Sequence, residues 1–526
     1  MEKNKNKKIK NFHQAKWDEP IIFELHTKGE RGVLIQEVES EIEDTVGDGL
    51  SQVPENMKRK NAPALPEISQ MRVLKHYLRL SQHCMGADFT IDLGQGTCTM
   101  KYSPKINEVL CRSPKVTEIH PFQDESTVQG ALEVIYKLDL FLQEISGLDK
   151  FTFQPGGGSA AILAMASIFH AYHKVRGEAE KRDEIITTIF SHPSDAAAAA
   201  VKGYKVITLY QNEDGLPDVE ALKKAVSGKT AGLLITNPED TGIFNPKIVE
   251  FTKIVHDAGC LCGYDQANAN GILGITRAKE AQFDMCFFNL HKSFSSPHGC
   301  GGPSSGALGV TKELIDYMPV PLVEFNGERY FLKQNLPHSI GKVRGFLGVF
   351  PAVLRAFSWI MSLGAEGLKE VANVAVLNNN YILKKIKEIK GASAPYAVGR
   401  HRIEQVRYSW EKLTEETGVT TEDIAVRMAD FGFHLWSSHH PFIVPEPFTI
   451  EPTESYSKEE IDEYLDGVKK IAEEAYQDPD KVKNAPYRSV VHKIDHSSFD
   501  DPEKWAITWR SYLKKHKKQE PEVDKV

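Results

Sequence analysis

Between residues 150 and 312, short apolar runs alternate with stretches of helical periodicity. The apolar runs predict strands at Ile185–Phe190, Lys205–Leu209, Ala231–Ile235, Cys260–Tyr264 and Met285–Phe288. The stretches between them predict helices at Asp195–Lys202, Val219–Val226 and Pro246–Ala258. Such alternation indicates a mainly parallel sheet covered by helices, which places the chain in the α/β class. Ligands of such sheets bind at the carboxyl ends of the strands, so candidate functional residues are sought there.

The segments on either side of this alternation have a different pattern. Further helices are predicted at Val73–Leu80, Ser126–Leu148, Val349–Leu363 and Gly367–Ile389. Residues 1–70 are polar and contain several prolines, which predicts an extended arm that packs against another part or another chain. We expect a large sheet domain over 71–315 and a smaller C-terminal α+β domain over 316–526 that ends in a charged tail.

Composition and charge exclude several classes of protein. Hydrophobic residues make up 41% and charged residues 26% of the 526 residues, as in ordinary globular proteins. The net charge of −8 argues against binding to nucleic acid or to acidic membranes. The longest apolar stretch, Gly345–Ala365, contains Pro351 and Arg355, so it predicts a core helix that begins near Pro351 and not a membrane span. No apolar stretch follows the lysine-rich first ten residues, and we expect a cytoplasmic protein.

The seven cysteines are too few, and odd in number, for the disulfide framework of a secreted protein. Cys260 and Cys262 lie two residues apart on a predicted buried strand, where their side chains would point the same way. A metal pair is one interpretation, but packing in the core is favoured, and we predict no metal site.

A glycine-rich turn, Gln154–Ser159, comes directly before a helical run at Ala160–His173. Glycines let backbone N–H groups approach a phosphate, and the start of a helix adds its positive end. The turn does not match the GxxxxGK[ST] pattern of nucleotide triphosphate loops. It therefore predicts a phosphate site of another kind, with Gly157, Gly158 and Ser159 as candidates.

Asp265 and Lys292 each follow a predicted strand. A carboxylate buried at a strand end needs a cationic partner, and a protonated pyridinium nitrogen would serve. An ordinary helix N-cap is the alternative for Asp265. Lys292 lies between an apolar strand and a small-residue loop, where burial would lower the pKa of its ammonium group and prepare the amine for Schiff-base chemistry. A solvated surface lysine is the alternative.

His192 follows the predicted strand Ile185–Phe190, where its imidazole could stack on a flat ring or move a proton. A histidine satisfied within the core is the alternative. The combination of phosphate loop, His192, Asp265 and Lys292, in this order, is more specific than any of its parts. A phosphate cradle, a ring stacker, a pyridinium partner and a reactive lysine are what a pyridoxal 5'-phosphate (PLP) enzyme needs.

Several motifs resemble those of a known family. They are Ile22–Leu25, Cys98–Tyr102 (CTMKY), Pro104–Glu108, Thr236–Pro238, Asp265 with Ala267 and Asn268, Asn289–Lys292 (NLHK), Pro297–Gly299, Gly301–Pro303, Ile450–Glu454 and Ala485–Pro486. At these residues the sequence resembles the P-protein of the glycine cleavage system (glycine dehydrogenase, decarboxylating), in particular its second subunit in organisms that divide the protein in two.

The resemblance implies a fold type I PLP enzyme, similar to aspartate aminotransferase, in which residues 71–315 bind the cofactor. Lys292 matches the lysine that carries PLP, Asp265 the pyridinium partner and His192 the ring-stacking histidine. The implied cofactor-binding residues also include Gly157, Gly158, Ser159, Ala267, Asn268 and His291. The implied reaction decarboxylates glycine and transfers the aminomethyl group to the lipoyl arm of the H-protein. Implied partners are P-protein subunit 1 and the lipoylated H-protein, in an oligomer.

The chain departs from the family's motifs near the predicted site. Ile162 stands in place of an acidic residue, Gln266 in place of a glycine, and Ser304-Ser305 in place of Gly-Met. The family's AHGTNPAS becomes Ser191–Ala198, SHPSDAAA. Because a reshaped pocket changes which amino acid fits, these departures raise the hypothesis that the enzyme has diverged from glycine.

Two alternatives to the glycine reaction stay open. One is a PLP enzyme of the same fold that decarboxylates or otherwise transforms a different amino acid, as a homodimer. The other is a non-catalytic subunit without PLP, against which the presence of Lys292 argues. The roles of His298, Cys300 and Cys98, all close to these motifs, are undecided by the sequence.

Overall fold

The computed structural model describes residue 9 and residues 12–85, 90–94, 101–297, 304–435, 443–490, 493 and 508–515. The chain divides into two compact units. The larger consists of residues 1–10 and 86–485, and the smaller of residues 11–85 and 486–526. The three-part division of the sequence analysis stays a prediction.

In the described chain, seven strands of the larger unit form one sheet. They are β1 Lys150–Thr152, β2 Glu184–Thr188, β3 Lys205–Leu209, β4 Thr230–Thr236, β5 Leu261–Asp265, β6 Met285–Asn289 and β7 Gly306–Val310. Their order is β1-β7-β6-β5-β4-β2-β3. Strands β2 to β6 pair in parallel, whereas β7 is antiparallel to both β1 and β6. Two antiparallel pairs follow along the chain, β8 Leu322–Phe325 with β9 Tyr330–Lys333 and β10 Val406–Ser409 with β11 Pro447–Ile450.

In chain order the helices are α1 Ser40–Val46, α2 Gln70–Gln82, α3 Lys105–Cys111, α4 Pro114–Thr117, α5 Gln129–Ser146, α6 Gly158–Val175, α7 Pro193–Val201, α8 Val219–Ala225, α9 Ile248–Asp257, α10 Phe350–Ile386, α11 Glu411–Thr417, α12 Thr421–Ala429, α13 Lys458–Gln477, α14 Pro479–Lys483 and α15 Trp509–Lys515. Helices α3 to α14 belong to the larger unit, and α1, α2 and α15 belong to the smaller unit.

The predicted strands and helices of the central region are confirmed. Each of the five predicted strands lies within two residues of its predicted bounds, the largest difference being that β2 ends at Thr188 and not at Phe190. The pattern did not predict β1 and β7, which are short or rich in glycine and owe their pairing to contacts with distant strands.

Helix α6 packs closely on the sheet because two strands present glycine to it. A Cβ atom on Gly232 of β4 would lie 2.6 Å from the Phe169 ring, and one on Gly263 of β5 would lie 3.2 Å from the Met165 sulfur. The helix buries seven apolar side chains, which form one of the hydrophobic clusters with residues of the sheet. This packing fixes the glycine-rich start of α6 beside the ends of the central strands.

Helix α10 is the longest helix of the larger unit and contains the longest apolar stretch of the sequence. It begins at Phe350, with Pro351 in its first turn, as the sequence predicted. Gly364 interrupts it with a φ of 67°, a conformation that favours glycine, close to the predicted break between two helices. Among the helices of the described residues, none has the length and apolar character needed to cross a bilayer.

The smaller unit has its own buried polar contacts. Glu19 is almost completely buried and bonds His76 Nδ1 at 2.7 Å and Arg79 Nη1 at 3.0 Å on α2. The hydrogen bond from His76 contributes most to a lowered pKa of Glu19. The Phe23 ring stacks on Trp509 of α15, with ring centroids 5.1 Å apart. Residues 12–24 are therefore anchored within this unit.

Candidate active site

Three residues singled out by the sequence come together at the carboxyl edge of the parallel strands. His192 is the N-cap of α7 after β2, Asp265 is the last residue of β5, and Lys292 lies three residues beyond the end of β6. Asp265 and Lys292 are each only 5% exposed, and His192 is half-buried. Burial lowers the pKa of His192, the charge of Lys292 lowers it further, and the charge of Asp265 opposes both. All three groups therefore act on one another electrostatically.

Asp265 is held in position by the turn that follows β5. All five residues of β5 are buried, and the Ala267 backbone N–H donates to Asp265 Oδ1 at 2.8 Å. Burial raises the pKa of Asp265, while His192, this hydrogen bond and Lys292 each lower it. In the described chain no helix begins directly after Asp265, so the helix N-cap interpretation is wrong, whereas the role of a pyridinium partner stays a prediction.

Lys292 lies in a turn that is tied to its surroundings by backbone hydrogen bonds. Its own N–H donates to the Asn289 carbonyl at 3.0 Å. The next residue, Ser293, accepts a hydrogen bond at Oγ from the Ala269 N–H at 2.7 Å, which joins the loops after β5 and β6. The neighbouring His291 is buried and accepts at Nδ1 from the Ser305 N–H at 3.3 Å. These bonds hold Lys292 inside the protein, so the alternative of a solvated surface lysine does not apply.

The glycine turn before α6 forms a narrow cradle. A Cβ atom on Gly157 would lie 3.3 Å from Ser304 Oγ, and one on Gly158 would lie 3.2 Å from Asn289 Nδ2. Ser304 Oγ donates to the Gly156 carbonyl, so the loop before β7 packs directly on the turn. Ser305 Oγ is buried without a hydrogen-bond partner among the described residues. A methyl group at Gly157 or Gly158 would therefore require its neighbours to move by a few tenths of an ångström.

The cradle has the features of an anion site. It lies at the start of the 18-residue helix α6, whose first backbone N–H groups have no partners within the helix. Arg344 adds a cation, since its Nη1 would lie 3.1 Å from a Cβ atom on Gly156. Ser159, the third residue predicted for this role, is exposed. Arg344 and Ser304 were not predicted as site residues, because their approach to the turn depends on contacts between distant segments.

The loop after β5 is also held by the strand pair β10–β11. Asn268 Nδ2 donates to Glu451 Oε1 at 2.5 Å, and Asn270 Nδ2 donates to the same oxygen at 2.8 Å. Asn268 Oδ1 accepts from the Asn270 N–H at 3.1 Å. Both polar atoms of the Asn268 side chain therefore have protein partners, and a direct contact of Asn268 with the cofactor stays a prediction. Ala267 acts through the backbone N–H described above.

Two of the family-like motifs form a single buried ion pair. Lys101 Nζ, the end of a side chain with no exposed surface, lies 3.0 Å from Glu454 Oε2 and 4.9 Å from the centre of the Trp359 ring. Burial lowers the pKa of Lys101, and Glu454 opposes this shift. The pair joins Lys101 of the CTMKY motif to Glu454, the last residue of the Ile450–Glu454 motif.

A second carboxyl group, which the sequence did not predict as a site residue, meets Asp265. Asp195, in the first turn of α7, is 1% exposed, and its Oδ2 lies 3.5 Å from Oγ1 of Thr236, the residue of β4 that pairs with Asp265 in the register of β4 and β5. Asp240, beyond the end of β4, acts electrostatically on both and pairs with Arg407 Nη2 of β10 at 2.8 Å. The one signal in the sequence was the position of Asp195 three residues after His192.

The two cysteines considered for a metal pair are core residues. Cys260 Sγ donates to the Thr230 carbonyl at 3.1 Å, and burial raises the pKa of the Cys262 thiol well above its usual range. Within the described residues, His256, Cys262 and Asp284 have their potential ligand atoms within 4.8 Å of one another. Asp284 Oδ2 is already bonded to His256 Nε2 at 2.9 Å and to the Cys262 N–H at 2.6 Å. His298, Cys300 and Cys98 lie outside the described residues.

Comparison with known proteins gives consistent matches. Residues 371–494 match the family model "Glycine dehydrogenase, C-terminal domain", and residues 153–329 match "Aminotransferase class-V". A probable glycine dehydrogenase (decarboxylating) subunit 2 of Pyrococcus abyssi is 46% identical over 515 residues, which cover 98% of this chain and 100% of that protein. A protein of the same name from Caldanaerobacter subterraneus is 43% identical over 90% of this chain and 96% of its own length.

Solved structures show the same fold at low sequence identity. The crystal structure of a glycine decarboxylase (P-protein) of the glycine cleavage system, in inhibitor-bound form, matches with a TM-score of 0.69 at 18% identity and covers 84% of this chain and 100% of that chain. A NifS-like protein matches with a TM-score of 0.55 at 16% identity over 73% of this chain and 100% of its own. The predicted fold class, that of fold type I, is confirmed.

Proposed function

The chain belongs to the family of glycine dehydrogenase (decarboxylating) subunit 2, and from this premise we propose that it binds PLP and decarboxylates glycine, passing the aminomethyl group to the lipoyl arm of the H-protein. The observation that carries the proposal is the meeting of Lys292, Asp265 and His192 at one sheet edge. The glycine cradle at the start of α6 supports it as a phosphate site.

The described residues fit the cofactor. Lys292 Nζ would hold it, Asp265 would accept a hydrogen bond from its ring nitrogen, and His192 would stack on its ring. The cradle of Gly157 and Gly158 would take its phosphate. When bound, PLP supplies an electron sink for the negative charge that remains after carbon dioxide leaves. Ser305 Oγ, buried without a partner among the described residues, is an additional hydrogen-bond donor near this cradle.

Lys292, Asp265 and His192 each have a separate role at the site. The burial of Lys292 keeps its amine away from bulk water, so Nζ would hold the cofactor and could move a proton at the site. Asp265 keeps a negative charge where the ring nitrogen needs a partner. His192 Nδ1 accepts the Ser194 N–H at 3.1 Å, which fixes the plane of the imidazole. Each of these roles depends on a group held by a strand end or a helix start.

The departures from the family's motifs weigh only in part against glycine as the substrate. Ile162 is 1% exposed and lies in the hydrophobic cluster between α6 and the sheet. Gln266 is buried, and its Oε1 has no hydrogen-bond partner among the described residues. Both changes therefore alter packing, whereas Asp195 and Ser304 contact the site itself. Glycine is the substrate that we propose, and a different amino acid is the alternative outcome of the test below.

We also propose that the chain works in an oligomer with P-protein subunit 1 and acts on the lipoylated H-protein, in the cytoplasm. The relatives carry the name subunit 2. Support from this chain comes from a row of exposed apolar side chains along the arm, namely Val33, Leu34, Ile35, Val38, Ile42, Val46, Leu50 and Met57. An apolar surface of this kind is typical of an interface.

The decisive experiment reconstitutes the purified chain with PLP and reduces it with borohydride before peptide mapping. We expect PLP on Lys292, with the exposed Lys253→Ala variant labelled equally and Lys292→Ala unlabelled. Release of labelled carbon dioxide from carboxyl-labelled glycine, in the presence of subunit 1 and H-protein, then tests the reaction. Release from another amino acid but not from glycine would replace the substrate, and absence of bound PLP would refute the proposal.

A further inference from the structure

The carboxyl group of Asp195 is buried beside that of Asp265 with an incomplete set of hydrogen bonds. Asp195 Oδ2 accepts from Thr236 Oγ1 at 3.5 Å, a long bond, and Asp195 Oδ1 is buried without any donor among the described residues. Thr236 is the register partner of Asp265 on β5, so the Asp195 carboxyl group lies beside that of Asp265 at the ends of the two strands, and the charge of Asp265 acts on it. Two ionised carboxylates have no hydrogen to share, so this arrangement is satisfied only when one of them carries a proton.

The surrounding charges do not compensate for two ionised carboxylates. His192 accepts at Nδ1 from the Ser194 N–H, which requires that this nitrogen carry no proton. Arg407 is bonded to Asp240 at 2.8 Å. Lys292 is a cation that acts on Asp265, and Asp240 adds a further negative charge. Among the described residues, the carboxyl groups at this edge thus outnumber the cations available to them.

We propose that Asp195 is protonated and donates a hydrogen bond to Asp265, so that the pair carries one shared proton and one negative charge. Asp195 is then a positioning residue, because it fixes one oxygen of Asp265 while the Ala267 N–H fixes Oδ1. The shared proton follows from this chain's geometry alone. Its meaning for cofactor binding rests on the proposed function.

The direction of the titration agrees with this assignment. Burial, followed by the charges of Asp265 and Asp240, raises the pKa of Asp195 well above its ordinary value. The groups that face Asp195 from neighbouring elements are Asp265 of β5, Asp240 beyond β4 and Thr236 at the end of β4. Like-charged carboxyl groups at short range cannot both ionise, and one of them retains its proton near neutral pH.

The first test uses infrared spectroscopy on the chain without PLP. The difference between wild type and the isosteric variant Asp195→Asn should contain the carbonyl stretch of a buried carboxylic acid near neutral pH, with the shift expected in heavy water. Glu239, a second buried acid whose pKa burial raises to about 8, provides the matched control, because Glu239→Gln removes a different band. Absence of an acid band that depends on Asp195 would overturn the proposal.

The second test measures PLP affinity and the visible spectrum of the bound cofactor as a function of pH. Asp195→Asn keeps a donor to Asp265, whereas Asp195→Ala removes it, so the alanine variant should bind PLP about tenfold more weakly than the asparagine variant, as expected for a lost hydrogen bond to a charged group. Equal affinities of the two variants would contradict a positioning role. If wild type binds no PLP, the proposed function fails, while the infrared result still decides whether the proton is shared.

Discussion

Two clusters of buried charge in the larger unit differ in how completely their charges are paired. In the first, Arg427 Nε and Nη1 bond Glu474 at 2.9 Å and Asp430 at 2.8 Å, and Lys481 Nζ bonds Glu474 at 2.8 Å. Two cations thus meet two anions. At the carboxyl edge of the sheet, Asp195, Asp265 and Asp240 face fewer cations, and one oxygen of Asp195 has no donor among the described residues.

The difference indicates what each cluster does. Balanced pairs with complete hydrogen bonding hold segments together, and removing one partner leaves an uncompensated buried charge. An unbalanced cluster in a protein interior requires a proton or a bound ligand, and perturbed groups of this kind concentrate at functional sites. We therefore expect substitutions at the sheet edge to alter chemistry, and substitutions in the Arg427 cluster to alter stability.

The largest expected effect is that of Lys292→Ala. Loss of the amine should lower the rate of carbon dioxide release from glycine by at least about 10³-fold, as is typical when a residue that acts directly in the chemistry is removed. The free energy of unfolding should change by only about 1 kcal/mol, because a carboxyl group at this edge can take up a proton in place of the lost cation. Activity assays measure the loss of rate, and denaturant unfolding measures the change in stability. A large loss of stability would show that Lys292 belongs with the structural pairs.

Arg427→Ala should have the opposite effect, with a large loss of stability and little change in the cofactor site. Removing this 7%-exposed cation breaks its ion pairs with Asp430 and Glu474, and should cost about 3–5 kcal/mol of unfolding free energy. PLP binding per folded molecule should be unchanged. Denaturant titration followed by absorption of the bound cofactor measures both quantities. Arg176→Ala, which removes an exposed partner of Glu178, is the control and should have little effect.

The pH dependence of stability should have opposite signs in the two regions. At the sheet edge, burial raises the pKa of Glu239 to about 8 from a reference of 4.5, so the folded chain retains a proton that the unfolded chain releases. Wild-type stability from this group falls as pH rises between these values, by up to about 1.4 kcal/mol per pH unit. Glu239→Gln lacks this loss, so its melting temperature should rise relative to wild type across the window and level off above about pH 8.

Glu474→Gln tests a pH dependence of stability opposite to that of Glu239. Although burial opposes it, hydrogen bonds from Arg427 and Lys481 lower the pKa of Glu474 below its ordinary value. The stability that this group contributes is present above the pKa of the unfolded chain and is lost as pH falls through the lowered pKa. The variant should therefore be less stable than wild type near neutral pH, and the difference should shrink in acid. Thermal unfolding at several pH values gives both curves, and parallel trends in the two variants would contradict the comparison.

The sequence predicted much of this arrangement because strand ends are a local property. The apolar runs located β2 to β6, and their ends placed His192, Asp265 and Lys292 at one edge of the sheet. The balance of charge was not predictable in the same way. Asp195 and Asp265 are 70 positions apart in the sequence, and Arg407 and Asp240 are 167 positions apart. Such contacts depend on packing between distant elements, for which a single sequence carries no periodic signal.

The smallest effect concerns the cradle, where space rather than charge is the constraint. In Gly157→Ala the new methyl group would lie 3.3 Å from Ser304 Oγ, so the cradle must widen, and PLP affinity should fall about tenfold, the equivalent of about 1.4 kcal/mol. Gly130→Ala on α5 is the matched control, since a Cβ atom there meets nothing within 4 Å, and it should leave the affinity unchanged.

The double variant Gly157→Ala with Ser304→Gly distinguishes steric crowding by the Ser304 side chain from the contribution of its hydroxyl group. Removing the serine side chain relieves the contact, so part of the affinity should return if crowding is the cause, and the two substitutions should then be non-additive. Ser304→Gly alone measures what the hydroxyl contributes through its bond to the Gly156 carbonyl. Strict additivity in a PLP titration would mean that the glycine turn and Ser304 act independently on the cofactor. The cradle would then not be the single anion site that its close packing indicates.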